Sequence, residues 1–121
     1  MISSSQSISM ATVSAPTNNA VIKYWGKADM KWNTPTNDSV SVTLDQSDLR
    51  AVTTVATSPQ FTSHRLWLNG VEEENVATNN KRFRACIDGV KALASNPSQF
   101  QKCFIHVSSY NTFPTAAGLA S

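Results

Sequence analysis

Cys103-Phe104-Ile105-His106-Val107 leads, near the end of the sequence, into Pro114-Thr115-Ala116-Ala117-Gly118-Leu119-Ala120-Ser121. The first segment reads as a strand buried on both faces, because bulky or apolar side chains occupy alternate positions on either side. Small residues directly after a strand are what a backbone needs if its N–H groups are to approach a phosphate at a helix start. An Ala-rich tail with no ligand is the competing reading. The sequence stops at Ser121 before any helix could open, so it reads as the N-terminal fragment of a longer fold.

Working back from that strand, Phe83, Cys86, Ile87, Val90, Leu93 and Ala94 fall at helical spacing, with Lys81, Arg82, Arg84 and Lys91 mostly off the stripe. This predicts one amphipathic helix from about Asn80 to Ala94, ended by Asn96-Pro97. Arg65-Leu66-Trp67-Leu68 followed by Asn69-Gly70 is the strongest hairpin signal, since Asn-Gly accepts positive φ at both turn positions. Val40, Val42 and Leu44 alternate with Ser41 and Thr43 and predict a half-buried strand. Ala51 to Ala56, Ile8 to Ala15 and Ala20 to Trp25 are further extended runs, the last ended by Gly26. The fold class is α+β, a mixed sheet with one amphipathic helix.

The 121 residues carry 10 Lys+Arg against 8 Asp+Glu, a net charge of +2, with 40% hydrophobic residues and only 4 Gly and 5 Pro. One packed domain follows, and a disordered chain does not. No apolar run approaches the roughly 18 residues of a membrane span. The charge is too small and dispersed for a nucleic-acid surface. Cys86 and Cys103, without a nearby His pair, read as two buried thiols in a reducing compartment. Residues 1–10 are Ser-rich, lack the pattern of a secretory signal and read as a flexible terminus, with 11–121 as the domain. The expected compartment is the cytoplasm, with an organelle address left open.

Three segments together carry more than pattern: Ala15-Pro16-Thr17-Asn18-Asn19-Ala20-Val21-Ile22-Lys23-Tyr24-Trp25-Gly26-Lys27, Asn37-Asp38-Ser39-Val40-Ser41-Val42-Thr43-Leu44, and Asn111-Thr112-Phe113 running into the Pro114–Ser121 loop. With Leu66-Trp67-Leu68-Asn69-Gly70 between them, they resemble the N-terminal part of the mevalonate diphosphate decarboxylase family, from about Ala11 onward. That family belongs to the superfamily of galactokinase, homoserine kinase, mevalonate kinase and phosphomevalonate kinase. The resemblance implies a fold like the second domain of ribosomal protein S5. It also implies ATP-dependent decarboxylation of 5-diphosphomevalonate to isopentenyl diphosphate, with magnesium, in a homodimeric full-length protein that uses neither nucleic acid nor membrane.

Residue by residue, the resemblance assigns Tyr24, Trp25, Gly26 and Lys27 to the substrate, with the Tyr24 hydroxyl and Lys27 ammonium meeting the diphosphate. The residues alone agree that an ammonium and a phenol beside a glycine make a compact anion clamp, though they fit a strand end with a solvated Lys and a core Trp as well. Arg82 matches a substrate arginine at the start of the family's first helix, or else is a helix-surface charge. Asn18 matches an asparagine that supports a substrate-contacting arginine beyond this chain. Pro114, Ala116, Ala117, Gly118, Leu119 and Ser121 match the loop that holds the ATP phosphates. The catalytic aspartate is expected beyond Ser121, so Asp29, Asp38 and Asp45 read as solvated turn or strand-end carboxylates. The sequence departs from the family pattern at Asn19 and Ala28, neither a proposed contact. A sister kinase and a noncatalytic anion-binding module are the rival readings.

Overall fold

The computed structural model describes residues 8–100 and 102–117. In chain order the elements are β1 (Ser9–Pro16), β2 (Asn18–Ile22), β3 (Lys27–Asp29), β4 (Thr34–Pro35), β5 (Val40–Thr43), β6 (Arg50–Ser58), β7 (Arg65–Leu68), β8 (Val71–Glu72), α1 (Val76–Asn79), α2 (Lys81–Leu93), α3 (Pro97–Phe100) and β9 (Phe104–Asn111). They divide into two compact units, one built from the chain up to Val13 and from Val52 to Tyr110, the other from Ser14 to Ala51 and from Asn111 onward.

The first unit holds most of a five-stranded sheet in the order β1-β6-β9-β7-β8. Strands β7 and β9 are parallel, Arg65 facing His106 and Leu68 facing Ser109, whereas β7 and β8 are antiparallel. The sheet is therefore mixed, as the sequence implies. A parallel pair needs a crossover, and α2 lies in the one between β7 and β9. The β7–β8 turn has φ of 50° at Asn69 and 81° at Gly70, the double positive-φ turn that the dipeptide predicts. Strand β1 begins at Ser9, inside the terminus read as flexible, and Thr12 shares a 2.8 Å hydroxyl hydrogen bond with Thr54 of β6. Of the rest of that terminus, Ile8 is exposed and residues 1–7 lie outside the described residues.

Helix α2 forms where the periodicity places it. The Asn80 side chain accepts the Phe83 N–H at 2.9 Å, satisfying one of the donors that a helix start leaves unpaired, and Ala94 turns the chain out of the α region. Pro97, read as the stop of α2, lies beyond its end at Leu93 and instead supplies the first residue of α3, a position where its missing N–H costs nothing. The apolar stripe is only partly covered, and of the two cysteines read as buried, Cys86 on this stripe is exposed and Cys103 is half-buried. Ile87 is buried, but Val90 and Leu93 are 68% and 88% exposed, so helical spacing identified the stripe without identifying a cover for all of it.

Leu66, Val76 and Ile87, from β7, α1 and α2, are the buried apolar residues among those described. An aromatic cluster extends this core. His106 stacks on Phe61 with ring centroids 3.6 Å apart, and His64 meets Phe104 edge-on at 5.3 Å while its Nδ1 accepts the Ile105 N–H at 3.1 Å. Burial, aided by the Lys91 ammonium, holds His64 below the ordinary histidine value; burial and Arg65 do the same to His106. Arg65 forks onto Glu72 at 2.6 and 2.7 Å and lies 4.6 Å over the Trp67 ring.

The second unit contains two antiparallel ribbons, β2 with β5 and β3 with β4. Val40 and Val42, predicted half-buried, are instead 50% and 54% exposed. Their strand pairs only with β2, and a two-stranded ribbon has too few strands to bury a face by itself. Thr17 is fully buried at the end of β1; its N–H reaches the Leu49 carbonyl, its carbonyl accepts the Leu44 N–H, and its Oγ1 has no partner among the described residues.

Candidate functional site

After β2 ends at Ile22, the chain from Lys23 to Gly26 has no regular structure and is fastened to the segment around Thr36 and Asn37. The Gly26 carbonyl accepts the Thr36 N–H at 3.1 Å and the Thr36 hydroxyl at 3.3 Å, and Asn37 Nδ2 donates to the carbonyls of Lys23 and Asp38. A Cβ built on Gly26 would lie 3.2 Å from Thr36 Oγ1 and 3.3 Å from its Cγ2. A side chain at this position would press on Thr36, which would have to give by a few tenths of an ångström. Two of the three segments that carry the resemblance are thus joined, and the side chains that join them, Thr36 and Asn37, were given no role in the sequence reading.

Lys27 opens the β3–β4 ribbon, where it pairs with Pro35 while Asp29 pairs with Thr34. The connection is shaped by two polar side chains. Asp29 Oδ1 accepts the Trp32 N–H at 2.8 Å, and Asn33 takes a left-handed conformation with φ 54° and accepts from Lys27 Nζ at 2.7 Å. Asn and Asp are the residues whose short side chains bond nearby backbone and tolerate that conformation. Trp25 is 93% exposed in this chain, and Tyr24 is also exposed. Asn18 is half-buried in β2 opposite Thr43 of β5.

The loop stem is held by Thr112, which sequence reasoning also missed. Its N–H donates to the Arg50 carbonyl at 2.9 Å, its hydroxyl to the Asp48 carbonyl at 2.7 Å, and the Arg50 N–H donates back to that hydroxyl at 3.0 Å. Beyond it Pro114, Ala116 and Ala117 are exposed. Ala116 has φ 62°, a conformation that costs an L-residue with a Cβ roughly 1–2 kcal/mol. Gly118, Leu119 and Ser121 lie outside the described residues.

Arg82 belongs to the first unit, as the second residue of α2, and is exposed. Lys81, Arg82 and Arg84 crowd the first turn of α2, which has no acidic residue. Arg84 pairs with Asp88 at 3.9 Å, and cations at a helix N-terminus oppose the macrodipole, so Lys81 and Arg82 stand where an anion would be favoured. Asp29 is committed to its turn, and so is Asp45, which accepts the Ser47 N–H at 2.6 Å and the Ser47 hydroxyl; those two bonds hold its pKa below the usual carboxylate value. Among the described residues no three His, Cys, Asp or Glu gather as a metal cage, and no helix is long and apolar enough to cross a membrane. An apolar groove of about 360 Å³ between β1, β6, β9 and α2 contains none of the candidate residues.

Residues 15–121 match the model of the diphosphomevalonate decarboxylase-like N-terminal domain. The diphosphomevalonate decarboxylase of Schizosaccharomyces pombe is 52% identical over 117 residues, covering 91% of this chain and 29% of that protein. The solved mevalonate diphosphate decarboxylase from Trypanosoma brucei superposes with a TM-score of 0.81 at 36% identity, covering 93% of this chain and 30% of that one. A solved complex of MDDEF with MVAPP, AMPPCP and magnesium gives 0.69 at 34% identity, covering 95% and 32%. The chain spans about 30% of the length of the curated relatives it matches. With its mixed sheet, its α2 crossover and a family match over nearly all described residues, the chain belongs to the diphosphomevalonate decarboxylase-like N-terminal domain family.

Proposed function

We propose that the full-length enzyme carrying this domain converts (R)-5-diphosphomevalonate and ATP into isopentenyl diphosphate, carbon dioxide, ADP and phosphate. The γ-phosphoryl group passes to the tertiary hydroxyl and turns it into a leaving group. Loss of the carboxylate as carbon dioxide then supplies the electron pair of the new double bond while phosphate departs. Two polyanions must be held close together, so positioning and charge stabilisation carry most of such a reaction.

The observation that carries this reading is the Lys23–Lys27 segment, fastened at Gly26 to Thr36 and presenting Lys27 at the start of a polar ribbon. Lys27 and the Tyr24 hydroxyl bind the diphosphate, with Trp25 and Gly26 shaping the segment. Arg82 adds charge from a helix start that an anion would relieve. Asn18 supports the substrate site. Pro114, Ala116, Ala117, Gly118, Leu119 and Ser121 form the ATP-phosphate loop, and magnesium, when bound, neutralises phosphate charge there. The base is an aspartate outside these 121 residues. The reading extends to a cytoplasmic homodimer, supported by the family resemblance.

Full-length enzyme incubated with ATP, magnesium and diphosphomevalonate should release one carbon dioxide per ADP formed. ADP with a stable phosphorylated acid and no carbon dioxide would support a kinase instead. Arg82→Gln should weaken diphosphomevalonate binding about 10-fold or more, the worth of a charge-assisted contact, and leave ATP binding nearly intact. If ATP affinity fell in its place, Arg82 would belong to the nucleotide.

A further inference from the structure

Three lysines lie close together in sequence around the substrate segment, and the structure treats one of them differently. Lys23 and Lys31 are exposed, whereas Lys27 is half-buried and its Nζ donates to Asn33 Oδ1 at 2.7 Å. Asn33 is itself fixed. It occupies the left-handed position of the β3–β4 connection, φ 54°, immediately after Trp32, whose N–H is tied to Asp29 Oδ1 at 2.8 Å. An amide oxygen held by a turn is thus aimed at an ammonium on the facing strand.

We propose that Asn33 is a positioning residue for the substrate, holding the Lys27 ammonium oriented before the diphosphate arrives. This rests on the reading of Lys27 as a diphosphate ligand. A lysine stem has four rotatable carbons and loses considerable rotamer freedom when it must point one way. A contact already made in the free protein removes part of that loss from the binding step. The chemistry of the partner suits the task. An ammonium has three donors, and Asn33 uses one, leaving two for phosphate oxygens. A carboxylate at the same place would give a stronger bond but would cancel the charge the diphosphate needs; a neutral amide orients the ammonium and leaves the charge intact.

The left-handed conformation allows the tether to be removed without disturbing the turn, because glycine adopts positive φ freely. In full-length enzyme, Asn33→Gly should raise the KM for diphosphomevalonate, and the dissociation constant from titration, about 3- to 10-fold, the range expected from freeing one long side chain. The kcat, the KM for ATP and the thermal midpoint should stay at wild-type values, a split that a merely structural role would not give. Lys27→Ala should raise the same KM further, and the double variant Lys27→Ala, Asn33→Gly should be no worse than Lys27→Ala alone. Wild-type KM in Asn33→Gly beside a defective Lys27→Ala overturns the tether while sparing Lys27. Additive losses in the double variant also overturn it. Wild-type KM in Lys27→Ala overturns both the tether and the assignment beneath it.

Discussion

The two units of this chain are held together by different means. Leu66, Val76 and Ile87, the buried apolar residues among those described, all belong to the unit built around α2 and the β7–β9 pair, where stacked and edge-on rings add to the packing. The other unit contains none of them among its described residues; its buried residue is Thr17. Order there comes from polar side chains bonded to backbone: Asp29 to Trp32, Asn37 to Lys23, Asp45 to Ser47 and Thr112 to Asp48. Apolar burial is non-directional and gives stability, whereas a hydrogen bond fixes one atom against another. The unit that carries Tyr24 to Lys27 is therefore arranged for position, and the other for cohesion.

Substitutions can break this contrast. The largest expected effect on stability is at the apolar core. Leu66→Ala or Ile87→Ala should cost about 2–5 kcal/mol by denaturant unfolding of the full-length enzyme, with little change in the KM for diphosphomevalonate. A large KM change at unaltered stability would mean that the cohesive unit also shapes the substrate subsite. Asn80→Ala removes the cap of α2 and should cost about 1 kcal/mol by the same measurement. Since Arg82 lies two residues on, a companion loss of substrate affinity would show that the cap also holds the arginine in place.

Acid should separate the units by pH. His64 and His106 are held below the ordinary histidine value, so between their folded values and about pH 6.5 the unfolded chain binds more protons than the native one. Stability rises with pH through that interval and is lost as pH falls through it. Protonation at Nδ1 would also displace the N–H that Ile105 donates to His64. Around that ring Lys91 and Arg84 oppose the charge and Asp88 favours it. Asp45 in the other unit is also held low, so its contribution is lost only further down, below about pH 4. Thermal midpoints measured from pH 7.5 to 5.5 should fall, and fall less in His64→Gln; equal slopes would remove His64 from the account. The smallest effect is expected at Arg65→Ala, because the pair with Glu72 is solvent-exposed and pairs of that kind contribute little. Its thermal midpoint should match wild type within error.

What could be seen in the sequence was local. Asn69-Gly70 specifies its turn through the φ values those two residues accept, and the helical spacing from Phe83 to Leu93 specifies α2, so each was legible before any tertiary contact was known; the helix ends at Leu93, ahead of the stop read at Asn96-Pro97. Exposure was not. The alternation in Val40 to Leu44 shows a strand, and the stripe through Leu93 shows a helix face, but neither says what covers them. The β3–β4 ribbon escaped notice because its connection lacks a two-residue turn signal and depends on Asp29 and Asn33. Tyr24 to Lys27, Asn18 and Arg82 became specific candidates only through family resemblance. A solvated lysine and a helix-surface arginine look the same in sequence as a pair of phosphate ligands.

The central claim is that the polar unit binds the diphosphate through Lys27, and titration calorimetry tests it most directly. With diphosphomevalonate titrated into wild-type and Lys27→Ala full-length enzyme in the absence of ATP, the account expects Kd to rise about 10-fold or more, the worth of a lost charge-assisted contact to phosphate, at unchanged thermal midpoint. Equal Kd values for the two proteins would contradict it.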